Sequence, residues 1–274
     1  MIGFAGHLRL VAARQTDGRT VLARQGFRAP FHLSKPYWDG DSGTLLVQVV
    51  NPTAGILAGD HLDSNIDVAE DAAMLVTTPS ASRVFTMIEG RAEFAQQFRV
   101  ARGAWLEVSP EPLVPHRGSR FRQTTTVDLA EGGSMFLVDQ LLPGRIGHGE
   151  AWGWSELVLD VTVRVAGEPI LRERFAHSGE ELHRLAEFAG FSPVACFATA
   201  ILVPPAPDGD PAWCREVAAQ HADGVWVGVS ALRRIGWTIR VVAPDTVRLR
   251  ATLATIRRIL APHFPRLGCN PRKL

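Results

Sequence analysis

A chain of 274 residues with 46% hydrophobic residues is long enough to bury one large core or two smaller ones. Twenty-nine basic residues offset 28 acidic ones to a net charge of +1, and the two signs are interspersed. This composition excludes a disordered chain and gives nucleic acid no basic patch to bind.

Residues 6–13 (GHLRLVAA) and 20–24 alternate apolar and polar, and Asp17-Gly18 between them is a turn signal, so the chain is expected to open with a hairpin. Residues 27–37 read as a loop, with Pro30 and Pro36 bracketing FHLSK. The apolar run 44–50 then leads into NPTAGILAGD at 51–60, followed by the alternating segment 61–68. Pro52 cannot donate a ladder hydrogen bond, and Gly55 and Gly59 can take positive φ. A strand, a sharp re-entrant loop and a second strand are predicted, with Asn51 at the start of the loop and Asp60 at its end.

Apolar residues fall on even positions from 92 to 100, except that Gln96 interrupts them. From 121 to 129 the odd positions Phe121, Val127 and Leu129 share a face with Gln123 and Thr125. Leu157, Leu159, Val161, Val163 and Val165 alternate without a break. Period two over so many segments predicts a mainly β, layered antiparallel architecture for residues 1–175. Residues 176–274 read as mixed α/β. Ser178 caps a helix over 180–189, residues 197–203 form a buried strand, and a loop at 208–211 leads into a second helix through about 219. A strand pair follows at 225–230 and 236–242. Leu249, Leu253, Ile256 and Leu260 mark the clearest amphipathic helix, near the C-terminus. No internal repeat is visible, and the 274 residues are read as a single domain.

The chemistry of the chain is carried by carboxylates. Nine histidines include no HxH and no i, i+4 pair, so no fixed metal site is written locally. Cys196, Cys214 and Cys269 lie far apart with no CxxC, which excludes a zinc ribbon or a disulfide framework. There is no GxSxG elbow and no phosphate-binding glycine motif. No run approaches the roughly 18 apolar residues of a membrane span, and Met1 to Leu10 lack a leader pattern, so a reducing cytoplasm is the expected compartment. Asp60, Glu107, Glu111, Asp139, Glu150 and Glu173 all fall in or beside β segments. Asp139 directly follows Met135-Phe-Leu-Val138, where an ionised carboxylate is costly unless it is paired. Two readings are open: a structural pair with Arg145, or an oxygen ligand on a polar interior path. Trp152 and Trp154 flank Gly153 and are expected in the core.

Taken together, residues 51–60 (NPTAGILAGD), 77–85 (TTPSASRVF), 106–121 (LEVSPEPLVPHRGSRF), 138–150 (VDQLLPGRIGHGE) and 167–174 (GEPILRER) resemble the urease accessory protein D family (UreD, called UreH in some organisms). The motifs keep the family's order and spacing over residues 5 to 260. The chain end, Asn270-Pro-Arg-Lys-Leu274, and the arginine-rich last helix depart from the family pattern. The resemblance implies a β-helix-like fold with two or three short helices and a non-enzymatic role in urease maturation. It implies accessory proteins F and G and apo-urease as partners, and nickel passing transiently through an interior tunnel with no tightly bound cofactor. The tunnel residues it implies are Asp60, Ser82, Asp139 and Glu173; Asn51, Gly55, Gly59, Glu107, Arg145 and Glu150 complete the motif set. A path of carboxylates and hydroxyls would hold nickel weakly, as a passage requires. Two other classes stand beside this reading: a β-rich hydrolase using a carboxylate pair such as Asp139 and Glu150, and a structural interaction module without a metal role.

Overall fold

The computed structural model describes residues 3–209 and 211–272. Met1, Ile2, Asp210, Lys273 and Leu274 lie outside the described residues, and with them parts of the predicted 208–211 loop and of the chain end. The opening hairpin forms as its turn signal predicts, with β1 (Ala5–Arg14) and β2 (Thr20–Arg28) paired antiparallel. The expected loop at 27–37 is instead interrupted by short strand segments. It includes β3 (His32–Leu33) and the start of β4 (Tyr37–Asp39), both of which pair antiparallel with β5 (Thr44–Val50).

From β5 onward the chain climbs as a coil, laying strands alternately into two sheets. The succession is β6 (His61–Val68), β7 (Ala73–Thr77), β8 (Ser82–Val84), β9 (Ala92–Val100), β10 (Trp105–Ser109), β11 (Leu113–Pro115), β12 (Arg120–Leu129), β13 (Ser134–Leu141), β14 (Glu156–Val165) and β15 (Glu168–His177). In a seven-stranded sheet β1, β6, β9, β12 and β14 run parallel, with antiparallel β2 and β15 at the edges. In the second, eleven-stranded sheet β5, β7, β10 and β13 form a parallel centre.

The antiparallel expectation is therefore corrected for the middle of the chain. Alternation reports only that one face of a strand is buried. Direction is set by where the next strand goes, and here consecutive strands enter opposite sheets. A strand's neighbour in its own sheet lies one full coil away: His61 faces Glu93, and Ala92 faces Phe121. The coil returns every 30 residues or so, a period typical of solenoids, yet without a sequence repeat, because the coils share only apolar alternation.

The four motif stretches at 51–60, 77–85, 106–121 and 138–150 fall at one corner of successive coils, each where the chain leaves the larger sheet for the smaller. The corners stack in register. Ile56 bridges Val84, Val84 pairs with Pro115, and Leu113 pairs with Leu141. Gly55 has φ of 156°, and a Cβ there would lie 2.6 Å from the Arg83 carbonyl oxygen, so the stacking itself demands glycine.

The C-terminal elements are α1 (Gly179–Phe188), β16 (Cys196–Val203), α2 (Ala212–Ala218), β17 (Trp226–Ala231), β18 (Trp237–Ala243) and α3 (Thr246–Leu260). Ser178 and Glu181 form a reciprocal capping box at the start of α1, matching the sequence reading. β16, β18 and β17 extend the larger sheet antiparallel from β13. α3 packs Leu249, Ile256 and Leu260 with Trp213 of α2 and Trp237 of β18 into a second core on that sheet's outer face. The main core lies between the sheets and includes Trp152 and Trp154, as expected.

Candidate functional site

Beneath the stacked corners the two sheets do not close fully, leaving a cavity of about 470 Å³. The corner segments form its roof: Asn51, Thr53 and Gly55 from the first coil, residues 77–83 from the second, Glu111 from the third and Asp139 from the fourth. The walls come from inward positions of the sheets. Gln96 and Gln123, the polar residues that break the alternation of β9 and β12, project into it along with Ser64. In the smaller sheet Ser64, Gln96, Thr125, Val161 and Glu173 stand opposite one another strand by strand, a mostly polar row that ends at the edge strand β15. In the larger sheet Asp139, Thr199 and Arg240 form a matching row across β13, β16 and β18.

Asp139 and Glu173 meet electrostatically. Burial, and after it the neighbouring Glu173 charge, push the Asp139 carboxyl from 3.8 up to about 6. Asp139 keeps some accessible surface, but that surface opens onto the cavity, since protein encloses the side chain. Glu173 carries its own counter-ion: its Oε2 accepts from Nη2 of Arg240 at 2.8 Å, bridging the two sheets. Ser82 lines the cavity from β8. Imidazole and thiol are missing from the described lining, so the donor set is carboxylate, hydroxyl and amide oxygen. Among the described residues no three His, Cys, Asp or Glu side chains come together closely enough to hold an ion.

The other motif residues build the corners. Asn51 Oδ1 accepts from the Thr53 N–H at 3.0 Å and the Thr53 hydroxyl at 2.6 Å, a side-chain turn that starts the loop. Gly59 has φ of 82° and donates its N–H to the Arg91 carbonyl at 3.0 Å. Asp60 does not line the cavity. Its carboxylate is buried and accepts the N–H groups of Phe4 at 2.8 Å and Leu57 at 2.9 Å, tying the loop's end to the residue just before β1. Replacing Asp60 by Ala leaves two part-buried donors without their charged acceptor, a cost of about 2 kcal/mol. The thermal midpoint of Asp60→Ala should fall by several degrees, while the folded fraction keeps wild-type affinity for Ni²⁺ by calorimetric titration.

Arg145 does not pair with Asp139. It grips Glu150 with both sides of its fork, Nε to Oε2 at 2.9 Å and Nη2 to Oε1 at 2.6 Å, which holds the Glu150 carboxyl below its ordinary range. The five-residue spacing lets the short 3-10 turn at Ile146–His148 fold the fourth corner back on itself. The Asp139–Glu150 pair of the hydrolase reading is likewise not assembled, because Glu150 is absorbed by Arg145 and does not line the cavity that Asp139 faces. Glu107 points to the opposite side of its sheet. It is fully buried under α3, in a two-pronged ion pair with Arg257, which also donates to the Cys269 carbonyl.

Residues 5–273 match the family model described as UreD urease accessory protein. The chain belongs to the UreD family. It is 60% identical over 271 residues to the urease accessory protein UreD of Opitutus terrae, covering 99% of both chains. The UreD of Alkalilimnicola ehrlichii is 31% identical over 98% of this chain and 91% of its own length, and that of Acetivibrio thermocellus 25% over 91% and 95%. Within this UreD chain, the sequence reading named Glu111 among the carboxylates without placing it on the tunnel, and missed Thr199 and Arg240 as cavity residues. The only local signal of the latter two is a hydroxyl or a charge on a strand of the larger sheet. Gln96 and Gln123 had been noted as breaks in the alternation, and those breaks are the interior polar wall.

Proposed function

We propose that this protein is a non-enzymatic urease maturation factor. In this reading it passes nickel through its interior cavity from accessory protein G, recruited through accessory protein F, toward apo-urease. The observation that carries it is the cavity's donor set: Asp139, Glu173 and Ser82 among further hydroxyls and amides, with no histidine or cysteine among the described lining residues. Nickel forms its stable protein sites with imidazole, so oxygen donors spread along a path attract the cation yet let it go. Asp139 and Glu173 are the attracting charges, Ser82 marks the corner end of the path, and Asp60 shapes the loop that roofs it. The buried Cys196 and Cys269, which form no disulfide, suit a reducing cytoplasm. No helix among the described residues is long and apolar enough to cross a membrane.

The test is nickel loading of urease in cells lacking this gene. Complementation with wild type restores nickel content and activity. The Asp139→Ala/Glu173→Ala variant is expected to lower urease nickel by about tenfold, in line with the roughly 1.4 kcal/mol that a weak ligand site contributes, while still co-purifying with accessory protein F. Full restoration by that variant would leave the protein a scaffold only.

A further inference from the structure

The cavity's carboxylates differ in how they are neutralised. Asp139 faces the cavity with no ion pair to a cation among the described residues, whereas Glu173 is held by Arg240. Glu111, also in the lining, is held from both sides: Oε2 by Arg250 of α3 at 2.6 Å and Oε1 by Arg272 of the chain end at 2.7 Å. Arg240, Arg250 and Arg272 are all about half exposed, while Glu111 is largely buried and Glu173 partly so. Arg240 lines the cavity with half its side chain exposed, whereas Arg250 and Arg272 lie outside the lining and reach Glu111 from the solvent side. An exposed guanidinium can swing into water at little cost, because a surface ion pair adds little net stability. A divalent cation and an arginine compete for the charge of the same carboxylate, so each weakens the hold of the other.

On the reading that nickel passes here, we infer that these arginines are exchangeable counter-ions that gate the cavity. Arg240 guards Glu173, and Arg250 with Arg272 guards Glu111. A divalent cation entering at either carboxylate displaces the arginine, and the arginine's return expels the cation. Such exchange offsets part or all of the incoming charge, one unit at Glu173 and two at Glu111, and holds affinity low enough for release. The arginine-rich last helix and chain end, the departures from the family pattern, thereby acquire a role.

The experiment is Ni²⁺ titration of the purified full-length chain by calorimetry at pH 8, with release timed by rapid mixing with a chelator. Removing one cation beside a ligand carboxylate should matter by about tenfold at this half-exposed position. Arg240→Gln is expected to bind Ni²⁺ about tenfold more tightly and to release it correspondingly more slowly, and Arg240→Lys, which keeps the charge, stays near wild type. Arg250→Gln/Arg272→Gln should tighten binding in the same way. Unchanged or weaker binding in both Gln variants, with Asp139→Asn still weakening it, would overturn the gate and leave the passage standing. If Asp139→Asn does not alter binding at all, the passage reading fails first and the gate with it. Circular dichroism of each variant confirms that the folded chain is being titrated.

Discussion

Glu107→Ala should lower the unfolding free energy by about 3–5 kcal/mol, the largest stability loss expected from any single substitution discussed for this chain. Glu107 projects from β10 into the second core with no exposed surface, and burial pushes its carboxyl up against the opposing pull of Arg257. Its two oxygens meet both prongs of Arg257 on α3, whose guanidinium also reaches the Cys269 carbonyl. One ion pair thus joins the larger sheet, the last helix and the chain end. Truncating the acid leaves a mostly buried guanidinium with only a carbonyl to face. At 2–4 °C for each kcal/mol in a chain of this size, the midpoint should drop by roughly 10 °C in a thermal scan followed by circular dichroism. Glu107→Leu combined with Arg257→Met removes both charges and should recover most of the loss. A double variant as unstable as the single one would show that the ion pair is not the source.

Asp139→Asn should act with the opposite sign on stability. The carboxyl titrates at about 6 in the folded chain against 3.8 ordinarily, so folding favours its protonated form. That contribution is fully present below about pH 4 and is lost as the pH rises through 6. Asparagine cannot ionise and avoids the loss. The variant and wild type should therefore unfold at similar temperatures near pH 4 and diverge between pH 4 and 7. By pH 7.5 the variant should be more stable by about 2 kcal/mol, allowing for water in the cavity, or roughly 4–8 °C. Thermal scans across pH 4–8 check this directly. Equal midpoints at pH 7.5 would mean that Asp139 bears no ionisation cost. A stabilising substitution that also lowers urease nickel would separate a functional carboxylate from a structural one, since Asp60→Ala is expected to do the reverse.

Local patterning was enough to read much of the architecture. Alternation in β6, β9, β12 and β14 marks strands with one buried face, Ser178 and Glu181 fix the start of α1, and the spacing of Leu249, Leu253, Ile256 and Leu260 gives α3. These features rest on contacts within a few residues, so the chain order itself carries them. The motif stretches, too, were recognisable as a set, because stacked corners allow little substitution where Gly55 meets the Arg83 carbonyl.

What the tertiary structure decided is everything that depends on stacking one coil on the next. Strand direction was misread because alternation is blind to which sheet a neighbour occupies. For Asp139 the sequence left open a pair with Arg145, its neighbour along the chain, or a place on an interior path. The fold instead gives Arg145 to Glu150 and turns Asp139 toward Glu173, which lies on an edge strand of the opposite sheet. Glu107 and Asp60 looked alike as awkward carboxylates, yet one faces α3, the other holds a loop, and neither lines the cavity. The sequence by itself determined the strands, the capped helices and the family. Which carboxylates share a cavity, and which arginines stand over them, was decided only in the folded chain, because the partners come from segments such as Glu111 and Arg272 that meet only when separate coils and the C-terminal helix pack together.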